Sequence, residues 1–150
     1  MYKKALTSLP WGREYSNNGL HAQQVVAYTL LGIRMKADNN PFTAGGDVGD
    51  MQVKSARATI CKYTTDIREH IKKDGATCYG YVTKDFKTLY VMTPEEYIDF
   101  VDLFAYADRE SITARKSSNG HGGSNGGGVK LKLRTCAEND KMYKWFEERL

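Results

Sequence analysis

Asp50, Gln52 and Lys54 stand two residues apart in the stretch GGDVGDMQVKSARAT, residues 45–59, and Asp47 lies just upstream. On a β-strand, alternate side chains share a face. A carboxylate, an amide carbonyl and an ammonium are then crowded together, and Met51, Val53 and Ser55 form an opposite, partly buried face. Such a cluster is costly to desolvate, and packing alone does not explain it. Two hard oxygen ligands can hold Mg²⁺, and a nearby lysine can orient a nucleophilic water or offset charge on a phosphate. That is the chemistry of metal-assisted phosphodiester cleavage.

These residues resemble the core motif of the PD-(D/E)XK nuclease superfamily, in its Gln-x-Lys variant. The resemblance implies a single α/β domain over residues 1–150, with a central mixed β-sheet flanked by helices in the restriction-endonuclease-like fold. It implies that Asp47, Gln52 and Lys54 are the catalytic set. Asp47, Asp50 and Gln52 become the metal ligands, for Mg²⁺ or alternatively Mn²⁺. Strand alternation places Asp50 with Gln52, and the element order of the family favours Asp47. The turn between Asp47 and Gln52 is shorter than the family's usual one. Gln52 is neutral, so the site carries one negative charge fewer and holds Mg²⁺ more weakly. In this superfamily a helix before the catalytic strands often sends an acid to the metal. The matching helix here offers Gln23 or Gln24, whose plainer role is a solvated helix face.

The elements that must position this motif follow from local signals. Residues 1–18 read as an irregular N-terminal arm. A helix is expected from Gly19 to Leu31, capped by Asn17 or Asn18 and closed by Gly32. Leu20, Val26, Ala27, Leu30 and Leu31 supply its apolar stripe, and His21 reads as a capping or surface residue. A short strand at 33–37 leads to a turn at 38–41, and Gly45-Gly46 makes a second turn. One long strand is expected from Met51 to Lys62, then a helix from Thr65 or Asp66 to Lys73. A hairpin joins 78–83 to 87–92. Thr93, Pro94 and Glu96 form a strong helix start, followed by a buried stripe of Tyr97, Phe100, Val101 and Phe104.

The C-terminal third is basic and glycine-rich. Residues 118–128 contain six glycines, and a flexible loop is expected over 116–128. It lacks the Gly-Lys-Ser/Thr ending of a P-loop. A strand over 129–134 alternates Lys130, Lys132 and Arg134 with apolar residues. These three, with Arg57, Arg115, Lys116 and Asn119, are the candidate nucleic-acid contacts. A last helix at 137–150 is expected to bury Met142, Trp145 and Phe146.

The totals agree with a nucleic-acid partner without requiring one. The 150-residue chain carries a formal charge of +4, with 41% hydrophobic and 27% charged residues, and a pI near 8.9. That balance favours an anionic partner and argues against an acidic DNA mimic. Three cysteines without a CxxC pair, and no signal-peptide pattern, suggest reduced thiols and a cytoplasmic location. No apolar run is long enough to span a membrane. The expected substrate is DNA, double-stranded, cut by a homodimer if both strands are cleaved. The competing reading is a non-catalytic nucleic-acid-binding or protein-interaction module on the same scaffold, for example a phage-encoded inhibitor.

Overall fold

A computed structural model describes residues 1–35, 47–56, 59–63, 75–107, 115–116, 129–135 and 138–150; over 59–63, 105–107, 115–116 and 129–135 the description is of the backbone. Among these residues the elements run β1 (Tyr2–Ala5), α1 (Asn18–Leu31), β2 (Met51–Ser55), β3 (Thr59–Tyr63), β4 (Cys78–Val82), β5 (Thr88–Met92), α2 (Pro94–Phe104), β6 (Ala105–Ala107), β7 (Arg115–Lys116), β8 (Val129–Thr135) and α3 (Asp140–Glu147). The architecture is α/β. A mixed sheet has the order β1-β5-β4-β2, and a second sheet has the order β3-β8-β6 with β7 also on β8. In the first sheet β2 runs parallel to β4, and the other pairs are antiparallel. A parallel pair needs a crossover connection, which the chain makes over residues 56–77.

Both faces of the first sheet are covered, and the register shows how. Tyr79 pairs with Met92 and Tyr81 with Tyr90, while Gly80 pairs with Val91 and Val82 with Leu89. Alternation sends the first set to one face and the second to the other. Tyr79, Tyr81, Tyr90 and Met92 pack with Tyr97, Phe100 and Val101 of α2 and with Met142, Trp145 and Phe146 of α3. Tyr90 stacks on Phe146 at 4.1 Å and Tyr79 on Tyr97 at 4.0 Å between ring centroids. Val82, Leu89 and Val91 pack instead with Met51 and Val53 of β2 and with Ala22, Val26 and Ala27 of α1. The sheet is thus the middle layer between α1 and the pair α2 and α3.

Local signals set most element ends. Asn17 Oδ1 accepts the Leu20 N–H and caps α1. Gly32 closes the helix with φ +68°, a left-handed conformation that suits glycine. At α2 the Thr93 hydroxyl oxygen accepts the Glu96 N–H, and the Glu96 carboxylate accepts the Thr93 N–H, a reciprocal capping box. The hairpin joins β4 to β5 as expected.

Several expectations are corrected. The first residues of the N-terminal arm form a strand, β1, because the outer edge of β5 offers Tyr2–Ala5 a full register from Val91 to Thr88. The stripe expected on α1 is displaced: Leu20 and Leu31 are exposed, and His21, Ala22, Gln24, Val25, Val26 and Ala27 are buried. His21 is therefore neither cap nor surface residue; its ring packs edge-on against Phe86 at 4.6 Å. Residues 33–35 form no strand. The long strand from Met51 to Lys62 is two strands in two sheets. Its partner β4 ends at Val82, whose carbonyl accepts the Ala56 N–H, and beyond that point the chain pairs with β8. The last helix starts later than 137, at Asp140 after Asn139 as cap. The turn at 38–41, Gly45-Gly46, the helix at 65–73 and most of the loop 116–128 lie outside the described residues.

Candidate functional site

β2 is the end strand of the first sheet. Met51, Val53 and Ser55 are buried and Gln52 and Lys54 half-buried, which is the alternation expected of this segment. Met51 and Val53 point toward α1. In register Gln52 stands opposite Tyr79 and Lys54 opposite Tyr81, so these two sit at the margin of the aromatic face.

Asp47 reaches the same strand through a tight turn. The Asp47 and Val48 N–H groups both donate to the Met51 carbonyl, and the Met51 N–H donates back to Val48. Gly49 takes φ +59° inside this turn, a conformation that glycine adopts without steric cost. The Asp47 carboxylate is thereby brought beside the outer edge of β2, where Oδ2 accepts the Val53 N–H at 2.9 Å. That N–H points away from β4, so Asp47 satisfies a strand-edge donor. Among the described residues no donor is bonded to Asp47 Oδ1, and no carboxylate is paired with Lys54.

A cleft of about 400 Å³ runs along this edge. Gln23, Asp47, Gln52 and Lys54 line it, and the α1 N-terminus borders it through Asn17, Asn18 and Gly19. The structure thus brings together the three residues of the expected catalytic set and one of the two helical glutamines. Asp50 is not among the lining residues. It is exposed, and its Oδ2 accepts the Thr77 hydroxyl at 2.5 Å, while its carbonyl accepts the Thr77 N–H. Asp50 ties the start of β2 to the start of β4. Gln24 is also elsewhere: it is fully buried, and its Nε2 donates to the Met35 carbonyl at 3.1 Å.

The cleft also contains residues that the sequence reading did not single out. Asn17, Asn18 and Ser55 line it. The Asn-Asn-Gly start of α1 was legible as a helix cap but carried no sign that it would face the motif strand. Of the candidate nucleic-acid contacts, Arg57 and Asn119 lie outside the described residues. Arg115 and Lys116 form β7, and Lys130, Lys132 and Arg134 belong to β8. The backbone register sets Lys130 opposite Arg115 and also opposite Tyr63, and Arg134 opposite Tyr106.

As a donor set the cleft offers one carboxylate, on Asp47, and four side-chain amides, of which the Asn17 and Asn18 oxygens already accept from the Leu20 N–H and from Arg13, leaving those of Gln23 and Gln52 as the candidates. Among the described residues no cluster of three His, Cys, Asp or Glu could hold a metal ion. One carboxylate does not build a closed protein cage. It does fit Mg²⁺, which keeps several waters and is held by one or two carboxylates together with substrate phosphates.

No protein-family model matches the chain, and neither a curated protein nor a solved structure matches it.

Proposed function

We propose that the chain is a metal-dependent deoxyribonuclease with a restriction-endonuclease-like core, and that the cleft beside β2 is its active site. The observation that carries this reading is the convergence of Asp47, Gln52, Lys54 and Gln23 on one cleft. A mixed sheet between helices, with β2 parallel to β4, supports it. Asp47, not Asp50, takes the ligand role, because it reaches the cleft while Asp50 is bonded to Thr77.

Each residue then has a task. Asp47 keeps Oδ2 on the Val53 N–H, which fixes the carboxylate and leaves Oδ1 for a cation. Mg²⁺, or Mn²⁺ in its place, would be held by Asp47 and the Gln52 carbonyl oxygen, and it supplies Lewis-acid stabilisation of the phosphate and a more acidic water. Gln23 contributes a second amide from α1. Lys54 places an ammonium where negative charge grows on the scissile phosphate and orients the attacking water. Being half-buried strengthens that charge's effect relative to bulk water. A duplex cut on both strands would use two such sites in a homodimer.

The test is cleavage of supercoiled plasmid, linear duplex and single-stranded DNA with Mg²⁺, Mn²⁺ or EDTA, beside Lys54→Ala. Metal-dependent cutting should fall by about 100-fold or more in the variant, with DNA affinity changed by less than about twofold. Salt-sensitive binding without cutting on any substrate would replace this reading with the non-catalytic binding module.

A further inference from the structure

Three cavities near the N-terminal part of α1 share lining residues in sequence. The cleft at Asp47 shares Asn18, Ser55 and Ala56 with a chamber of about 150 Å³, whose other walls are Thr83, Lys84 and Phe86. Phe86 also lines a third chamber, of about 300 Å³, with Arg13, His21, Asp85, Lys87 and an apolar wall that includes Leu9. Shared walls thus set the candidate active site in line with a chamber of different character.

The third chamber has the features of a built site. His21 is about nine-tenths buried, and its Nδ1 has no hydrogen-bond partner among the described residues. That nitrogen is closed to solvent, so a ligand in the chamber meets other atoms of the ring. Burial, and secondarily the Arg13 charge, hold the imidazole below its ordinary pKa, so it meets a ligand in its neutral form. Arg13 is held by three bonds, from Nε to the Tyr15 carbonyl and from Nη2 to the Ser16 carbonyl and Asn18 Oδ1. Its Nη1 protons have no acceptor among the described residues, so Arg13 offers a charged single-nitrogen donor to an anion. The guanidinium lies 5.4 Å from the centre of the Phe86 ring. Lys84 and Lys87, which flank Phe86 in the chain, are exposed. The Asp85 carboxylate is the opposing charge. Its Oδ1 accepts both the Thr83 hydroxyl at 2.7 Å and the Lys87 N–H at 3.0 Å, and its charge offsets one of the two cations, Arg13 and Lys87, that line the chamber.

Cations, an aromatic ring, an apolar wall and a neutral imidazole together suit a nucleotide. A chamber of this size is that of a small-molecule pocket. Its volume suits a nucleotide that has left the stack. We propose that these cavities form a track that binds unpaired nucleotides of the strand being cut, so that the preferred substrate is DNA with a single-stranded segment beside the scissile phosphate. The name of the substrate class rests on the nuclease reading of the first cleft; the binding track itself does not.

The experiment separates the two. Fluorescence anisotropy in EDTA would compare a blunt duplex, the same duplex with a single-stranded tail of about ten nucleotides, and the tail alone, for the native chain, Lys87→Ala and Lys87→Glu. Native protein should bind the tailed duplex about tenfold tighter than the blunt one. Lys87→Glu should remove most of that difference, leave blunt-duplex affinity within about twofold, and lower the salt slope on the tailed duplex by about 0.7. Lys87→Ala should give the same pattern, smaller. Equal affinity for tailed and blunt DNA, an equal loss on both, or no loss would overturn the track, even if plasmid is cut. Selective loss on tailed DNA without any cutting would keep the track and defeat the nuclease reading.

Discussion

Asp47 Oδ2 accepts the Val53 N–H at the open edge of β2, and a role in holding that edge must be separated from a role in chemistry. Two substitutions do so. Asp47→Asn keeps a carbonyl oxygen for the Val53 N–H but loses the charge. Asp47→Ala loses both. The asparagine variant is expected to unfold within about 0.5 kcal/mol of the native chain, and the alanine variant about 1 kcal/mol below it. Both should lose metal-dependent cutting to a similar extent. Urea unfolding beside plasmid cleavage checks the pair; an asparagine variant that still cuts at the native rate would remove Asp47 from the metal site. Much of this site was legible in the sequence, because alternation along a five-residue strand is a local property, and Gln52 and Lys54 obey it. The choice between Asp47 and Asp50 was not legible from alternation. It depends on the tight turn at Gly49 and on Thr77, which is 27 residues away in the chain. The burial of His21 and Gln24 was equally hidden, since it depends on other parts of the chain: Phe86 packs on the His21 ring, and the Met35 carbonyl accepts from Gln24 Nε2.

Among the elements, α2 was the most readable, because its start is written in four consecutive residues, Thr93 to Glu96. β1 and the break between β2 and β3 were not readable, because both are decided by where a partner strand begins or ends. The capping box at α2 carries a pH signature. Burial raises the Glu96 pKa, but the Thr93 N–H and hydroxyl and the N-terminal ammonium, 3.2 Å away, more than offset this, and the net shift is downward. A carboxylate depressed in the folded state stabilises it fully above the ordinary value of 4.5. That contribution is lost as pH falls through the folded value. Glu96→Gln keeps an oxygen for the Thr93 N–H and loses only the charge. It is expected to cost about 0.5 kcal/mol near neutral pH, and the gap should close in acid. Thr93→Ala should cost about 1 kcal/mol at either pH. Urea unfolding near neutral pH and near pH 3 distinguishes them; a Glu96→Gln deficit that persists in acid would show that the charge is not what stabilises the cap.

Across the whole molecule, the proposed chemistry and the proposed affinity belong to different sheets. The cleft lies on β2 of the first sheet, and Lys130, Lys132 and Arg134 lie on β8, the strand that pairs with β3, β6 and β7 in the second. A formal charge of +4 is modest, so the proposed affinity for DNA would come from local concentration of cations more than from the overall field. If these three residues contact phosphates, each contact releases counterions and contributes about 0.9 to the slope of log affinity against log salt on duplex DNA. Replacing all three by glutamine should then lower that slope by between about 2 and 3, and raise KM for duplex cleavage far more than it lowers kcat. Lys54→Ala should do the reverse, lowering kcat and leaving the slope in place. Binding isotherms at several salt concentrations, read beside steady-state cleavage, measure both. A triple variant with the native salt slope would move the phosphate contacts off β8.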